Sequence, residues 1–117
     1  MIEATGLGQL PINEIDEFTI EHSKIFDALK SLINDGTVIA LAPQTIYGRL
    51  QMNVYAPARK LRDIGIIGHG NNTTPETTFI KLAWLLSNYS KDQSKRMILQ
   101  NIAGELSDCT AAEEYLN

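Results

Sequence analysis

Cysteine is nearly missing from this 117-residue chain. Cys109 has no second cysteine to pair with, so no internal disulfide can staple the fold, and a lone thiol fits a reducing, cytoplasmic setting. Long apolar runs are missing as well. No stretch of 18 apolar residues exists, which excludes a membrane-spanning helix. The opening residues Met1-Ile2-Glu3-Ala4-Thr5-Gly6 hold neither a basic leader nor an apolar signal core, so no export is expected. Positive charge is in short supply: 10 Lys and Arg stand against 14 Asp and Glu, a net charge of −4. A nucleic-acid binder usually carries the opposite excess, so a direct grip on tRNA or DNA is not expected. Neither His22 nor His69 has a Cys, Asp or Glu at metal-ligand spacing, so both read as solvent-exposed, and no metal or cofactor is implied.

What is present suffices for one globular domain. The chain is 44% hydrophobic and 21% charged, and at this length folding hides roughly two thirds of the unfolded surface. Residues 2–5 read as a strand running into Gly6-Leu7-Gly8, and a chain that opens inside a strand is expected to be a piece of a longer protein. From 21 to 34, Ile25, Phe26, Leu29, Leu32 and Ile33 recur at helical spacing, stopped by Gly36. Residues 37–42 form a nearly uninterrupted apolar run ended by Pro43, the pattern of a buried parallel strand. Leu50, Met52 and Val54 alternate with polar residues, as in an edge strand or extended loop. Pro57 opens a helix with Ala58 and Leu61 facing inward and Gly65 closing it. Ile64, Ile66 and Ile67 offer a further short strand.

Thr74-Pro75-Glu76 is a clear helix start, with Phe79, Leu82, Ala83 and Leu86 as the expected core stripe. Ser90 and Gln93 make a capping box for a last helix that turns Met97, Ile98 and Ile102 inward and ends at Gly104. The alternation of strands and helices predicts an α/β fold, a three-layer α/β/α sandwich around a short, mostly parallel sheet. Residues 1–106 are expected to form the domain and 107–117 a loose tail.

Candidate chemistry gathers at strand ends. Thr5-Gly6-Leu7-Gly8-Gln9 has two glycines of a nucleotide-binding turn but lacks the third and has no helix close behind it. A structural turn, or a close approach by a ligand or another backbone, explains it better. Threonines 73, 74, 77 and 78 have no neighbouring base, so capping and helix-surface roles account for them, and Cys109 has no histidine beside it in sequence. Gln44-Thr45-Ile46-Tyr47-Gly48-Arg49 follows the most buried strand at the end where open α/β folds collect ligands. Tyr47 and Arg49 could present a phenol and a planar cation there, although by pattern alone a structural turn explains the segment better. Between Arg49 and Arg62 stand Arg59 and Lys60 and no acid, either an anion-facing patch or a solvated helix face.

Four strings, taken together in order and spacing, resemble the C-terminal domain of the asparaginase family. They are Tyr47-Gly48-Arg49-Leu50-Gln51-Met52-Asn53-Val54-Tyr55, then Gly65-Ile66-Ile67, then Thr74-Pro75-Glu76-Thr77 with Lys81-Leu82, and finally Asn101-Ile102-Ala103-Gly104-Glu105-Leu106. Within that family the strings are most similar to the branch that serves as the D-subunit of archaeal glutamyl-tRNA(Gln) amidotransferases. The resemblance spans residues 2 to about 106.

It implies an amidohydrolase that releases ammonia from glutamine or asparagine through a threonine nucleophile. In the amidotransferase branch the ammonia passes to a transamidase partner subunit that converts Glu-tRNA(Gln) to Gln-tRNA(Gln), so tRNA is met only indirectly. The family's Thr-Gly-Gly-Thr and Thr-Asp-Thr elements do not occur in this chain, so it is expected to be silent by itself and to hold no catalytic residue. Its implied part is half of a homodimer interface and closure of the active site. Gln9 and Tyr55 match positions that reach the site of the dimer mate, although both differ in type from the family's Asn and Glu. Thr45 replaces the cysteine of an allosteric pocket in bacterial relatives; with Tyr47 and Arg49 it marks a candidate pocket or interface. Two alternatives remain open: an L-asparaginase acting on free asparagine, and a non-catalytic amino-acid-binding or regulatory domain.

Overall fold

Two short parallel strands lie at the centre of the computed structural model, which describes residues 1–109 and 112–114. β1 (Ile2–Ala4) pairs with β2 (Leu41–Pro43) in the register Ile2 to Leu41, Glu3 to Ala42 and Ala4 to Pro43. On its other side the β2 segment meets residue 67: Ala40 bridges to Ile67 in parallel, and the Leu41 N–H donates to the Ile67 carbonyl at 2.7 Å. Four helices complete the architecture, α1 (His22–Asn34), α2 (Ala56–Asp63), α3 (Pro75–Asn88) and α4 (Lys91–Met97), with a 3-10 turn at Ala112–Glu114.

The apolar run before and in β2 sorts its side chains to two faces, because successive residues of extended chain point opposite ways. Ile39 and Leu41 join Leu29 of α1 and Ala58 and Leu61 of α2 in one cluster. Val38 and Ala40 join Leu82 and Leu85 of α3 and Ile98 in the other. The sheet is therefore sandwiched between α1 and α2 on one face and α3 and α4 on the other, the expected three layers.

Several boundaries moved. The strand expected over 37–42 pairs with β1 only at Leu41–Pro43, and Pro43 lies inside it. Proline is tolerated because the rung uses its neighbour: the Gln44 N–H donates to the Ala4 carbonyl at 2.9 Å. Residues 50–54 form a loop, with Leu50 and Met52 fully buried and Val54 exposed. In α1 only Leu29 is buried; Phe26 and Ile33 are partly covered, whereas Ile25 and Leu32 face solvent. α3 is rotated from the expected stripe: Thr78, Lys81, Leu82 and Leu85 are buried, while Phe79, Ala83 and Leu86 are exposed. The last helix stops at Met97, well short of Gly104, and Ile102 is exposed.

The expected tail 107–117 lies partly outside the described residues. Within them, Ser107 is tied to the domain through its carbonyl and hydroxyl, which accept from Asn72 Nδ2 at 3.0 and 2.7 Å. No helix among the described residues is long and apolar enough to cross a membrane.

Candidate functional site

Three loops leave the C-terminal side of the strands and are laced together by backbone bonds. The Leu50 N–H donates to the Asn71 carbonyl at 2.9 Å, the Gly70 N–H returns to the Leu50 carbonyl at 2.8 Å, and the Gln51 N–H reaches the Gly6 carbonyl at 3.0 Å. Gly8 is required where the first loop meets the second. Its φ is +67°, and a Cβ there would stand 2.5 Å from Met52 Cγ, closer than atoms can approach.

Beneath these loops sits a buried polar network. Asn71 Nδ2 donates to the Leu41 carbonyl at 2.9 Å and to Thr78 Oγ1 at 3.0 Å. Asn71 Oδ1 accepts from the Thr73 N–H at 3.1 Å and from Thr73 Oγ1 at 2.9 Å, and the two threonine hydroxyls meet at 2.6 Å. The side chain of one asparagine thus ties β2, the third loop and α3 together. Thr73 and Thr78 are internal struts, which corrects the surface roles expected of them. Thr74 caps α3, its Oγ1 accepting from the Thr77 N–H at 3.3 Å.

The second polar centre joins α3 to the segment that follows α4. Lys81 Nζ sits 2.6 Å from Glu105 Oε1 and donates to the Gln100 carbonyl at 2.5 Å; the two side chains are only 7% and 14% exposed. Burial acts to raise the Glu105 pKa, but the Lys81 hydrogen bond and the Ala103 and Ile102 N–H donors outweigh it and hold the carboxyl at about 2. The Ala103 N–H donates to Oε2 at 2.6 Å, so the carboxylate closes the turn that follows α4. α4 ends at Met97, and the chain beyond it turns so that Glu105 faces Lys81.

The sequence-derived candidates fall in separate places. Thr45 is exposed beside Gly6, and with Gln44, Asn72, Thr74 and Glu76 it lines a cleft of about 220 Å³. Arg49 lines a different cleft with His69, Asn101 and Ser107, and its Nη2 reaches the Ser107 carbonyl at 3.4 Å. Gln9 is half-buried, its N–H on Thr5 Oγ1 at 3.2 Å. Tyr47 is half-buried, and Tyr55 is about half exposed as the residue before α2. His69 is exposed and accepts the Met52 N–H on Nδ1 at 3.2 Å, whereas His22 is half-buried at the start of α1.

The basic segment works largely within the chain. Arg59 Nη1 donates to the Asn53 and Val54 carbonyls at 3.0 and 2.8 Å, and Arg62 bonds Asp63 and Asn53. Among the described residues no three His, Cys, Asp or Glu side chains are grouped to hold a metal ion.

A family model, the glutaminase/asparaginase C-terminal domain, matches residues 1–99. The chain belongs to this family. It is 34% identical to the glutamyl-tRNA(Gln) amidotransferase D-subunit of Pyrococcus furiosus over 118 residues, which is 99% of this chain and 24% of that protein. The corresponding protein of Methanobrevibacter smithii is 30% identical, again with 24% of its length matched. The chain therefore spans about a quarter of the length of these relatives.

Among solved structures, L-asparaginase I from Vibrio cholerae superposes with a TM-score of 0.72 at 30% identity, covering 92% of this chain and 30% of that one. The thermostable L-asparaginase from Thermococcus kodakarensis gives 0.73 at 21% identity over 91% of this chain and 30% of that one, a likeness of fold alone. The asparaginase C-terminal architecture and the family expected from the sequence strings are thus both present.

Asn71, Thr73 and Thr78 escaped sequence reasoning as a unit. The available signal was the spacing of Thr78, Lys81, Leu82 and Leu85, which is helical but includes two polar residues that an apolar-stripe search discards.

Proposed function

We propose that the chain is the C-terminal domain of an asparaginase-type amidohydrolase working as the D-subunit of a glutamyl-tRNA(Gln) amidotransferase. In that role it contributes to releasing ammonia from glutamine or asparagine for a transamidase partner subunit that makes Gln-tRNA(Gln). The observation that carries this reading is 34% identity to an amidotransferase D-subunit along 99% of the chain. Residues 1–106 are the working domain and 107–117 its tail; the setting is cytoplasmic, and tRNA is handled by the partner.

The chain has no Thr-Gly-Gly-Thr element. Its task is to form one side of a homodimer and close a site whose nucleophile comes from another domain. Gln9 supplies an amide and Tyr55 a hydroxyl toward the substrate in the dimer mate. Thr45, Tyr47 and Arg49 line the flank of that contact. The half-exposed Tyr55 and the laced loop around Gln9 support these placements, because both groups sit at the edge of ordered backbone rather than within the core.

The test measures ammonia from glutamine with the chain alone and with a threonine-bearing asparaginase-type domain added. The expected result is silence alone, release by the pair, and a higher KM or lower kcat for the pair with Tyr55→Phe. Release by the chain alone overturns the division of labour; unchanged kinetics removes Tyr55 from the site. The 30% identity to an L-asparaginase favours a second reading, hydrolysis of free asparagine. That reading is preferred if the pair hydrolyses asparagine and never engages a partner subunit.

A further inference from the structure

Residues 52–54 lie between two stretches held by backbone bonds and have none of their own. The Gln51 N–H on the Gly6 carbonyl is the last bond of the laced loops, and the Arg59 N–H on the Tyr55 carbonyl, at 3.1 Å, is the first of α2. Among the described residues no backbone group bonds to Met52, Asn53 or Val54. Side chains hold this segment instead. Met52 is fully buried, and its N–H donates to His69 Nδ1 at 3.2 Å. At the other end Arg59 Nη1 donates to the Asn53 carbonyl at 3.0 Å and to the Val54 carbonyl at 2.8 Å. Three consecutive carbonyls, those of Asn53, Val54 and Tyr55, therefore end on one residue, two on its guanidinium and one on its backbone N–H.

The Val54 carbonyl belongs to the planar peptide unit that runs into Tyr55. Holding its oxygen fixes how that plane is turned, and with it the direction in which the Tyr55 side chain leaves the backbone. Tyr55 is extended, with φ −110° and ψ 148°, and its half-exposed side chain makes no cap bond to the helix that it precedes. The brace thus orients a side chain that does not serve the start of α2.

We propose that Arg59 is a positioning residue for amide hydrolysis, fixing the backbone ahead of Tyr55 so that its hydroxyl meets the substrate in the dimer mate. This rests on the placement of Tyr55 in the reading above. A group that hydrogen-bonds a reacting molecule must be held within about 0.5 Å of its working place, and a loop without backbone bonds does not hold it so by itself. Both carbonyl bonds come from the single nitrogen Nη1. A lysine ammonium, with three donors, can therefore replace them, whereas alanine cannot. Alanine does keep the backbone N–H that bonds Tyr55, so α2 retains its first bond.

The experiment measures ammonia release by the assembled enzyme, this chain with the threonine-bearing domain. It compares wild type, Arg59→Ala, Arg59→Lys, Tyr55→Phe and the double variant Arg59→Ala with Tyr55→Phe. Arg59→Ala is expected to lower kcat/KM by about tenfold. Arg59→Lys is expected to stay within about threefold of wild type. Once Tyr55→Phe is in place, Arg59→Ala is expected to cost nothing further, because the hydroxyl that it positions is gone. An equal loss in both backgrounds shows that Arg59 binds substrate itself or only supports the fold, and overturns the proposal. A loss with Arg59→Lys as large as with alanine also overturns it. If Tyr55→Phe lowers activity and Arg59→Ala does not, the proposal falls and Tyr55 keeps its place in the site. Unchanged kinetics for Tyr55→Phe removes both, and a silent wild-type assembly removes the amidohydrolase reading itself.

Discussion

The loop over 68–74 and the loop over 13–21 are both held by short polar side chains bonding to backbone, yet they do opposite work. In the first, Asn71 and Thr73 are buried, and their bonds tie the following helix α3 to β2, a strand thirty residues back in the chain. In the second, every bond stays local and exposed, and the apolar residues point outward. A hydrogen bond in the core has no water to replace it, so losing one partner strands the other; at the surface, water takes the vacancy. The same chemistry therefore fixes the fold in one loop and only the shape of a display in the other.

The sharpest break of this comparison is Asn71→Leu. It strands the Leu41 carbonyl and the Thr73 N–H and is expected to cost about 4 kcal/mol, read as a lower urea midpoint. A loss below about 1 kcal/mol would show that water reaches the site and would erase the contrast.

Glu105→Gln comes next, at about 3 kcal/mol near neutral pH, because it leaves the buried Lys81 ammonium without its counter-charge. Its pH dependence follows from the depressed carboxyl. The stabilisation is fully present above the unfolded value of 4.5 and is lost as pH falls toward about 2. Wild type should accordingly lose stability through that window, and the gap to Glu105→Gln should narrow. Parallel acid-unfolding curves would contradict the assignment. Phe18→Ala marks the small end: its thermal midpoint should shift by no more than the equivalent of about 0.5 kcal/mol, since the side chain covers nothing. A larger shift would place Phe18 in the fold rather than on display.

How much of this was legible beforehand varies by element. The capping signals at Thr74-Pro75-Glu76 and Ser90 with Gln93 predict the starts of α3 and α4 correctly, because a cap is an interaction between near neighbours in the chain. The face of α3 was not legible. Phe79, Ile80, Leu82, Ala83, Trp84, Leu85 and Leu86 make it apolar nearly all round, so no stripe stands out, and its rotation is set by where Thr78 and Lys81 find partners. The course of the chain after α4 was equally hidden, because there Glu105 pairs with Lys81, twenty-four residues away. Of the candidate residues, Thr45 and Arg49 could be assigned to strand-end loops from order alone, but their separation into two clefts required coordinates.

By itself the sequence determined the order of the four helices and the first two strands, the α/β class and the family, since these rest on spacing and on short strings read along the chain; the third strand expected at 64–67 is reduced to one bridge at Ile67. Tertiary structure alone decided which side of each helix is inside, where the last helix ends, and which polar groups carry buried bonds. Those outcomes depend on partners brought close by folding, and a residue's burial is a property of its neighbours in space rather than of its neighbours in the chain.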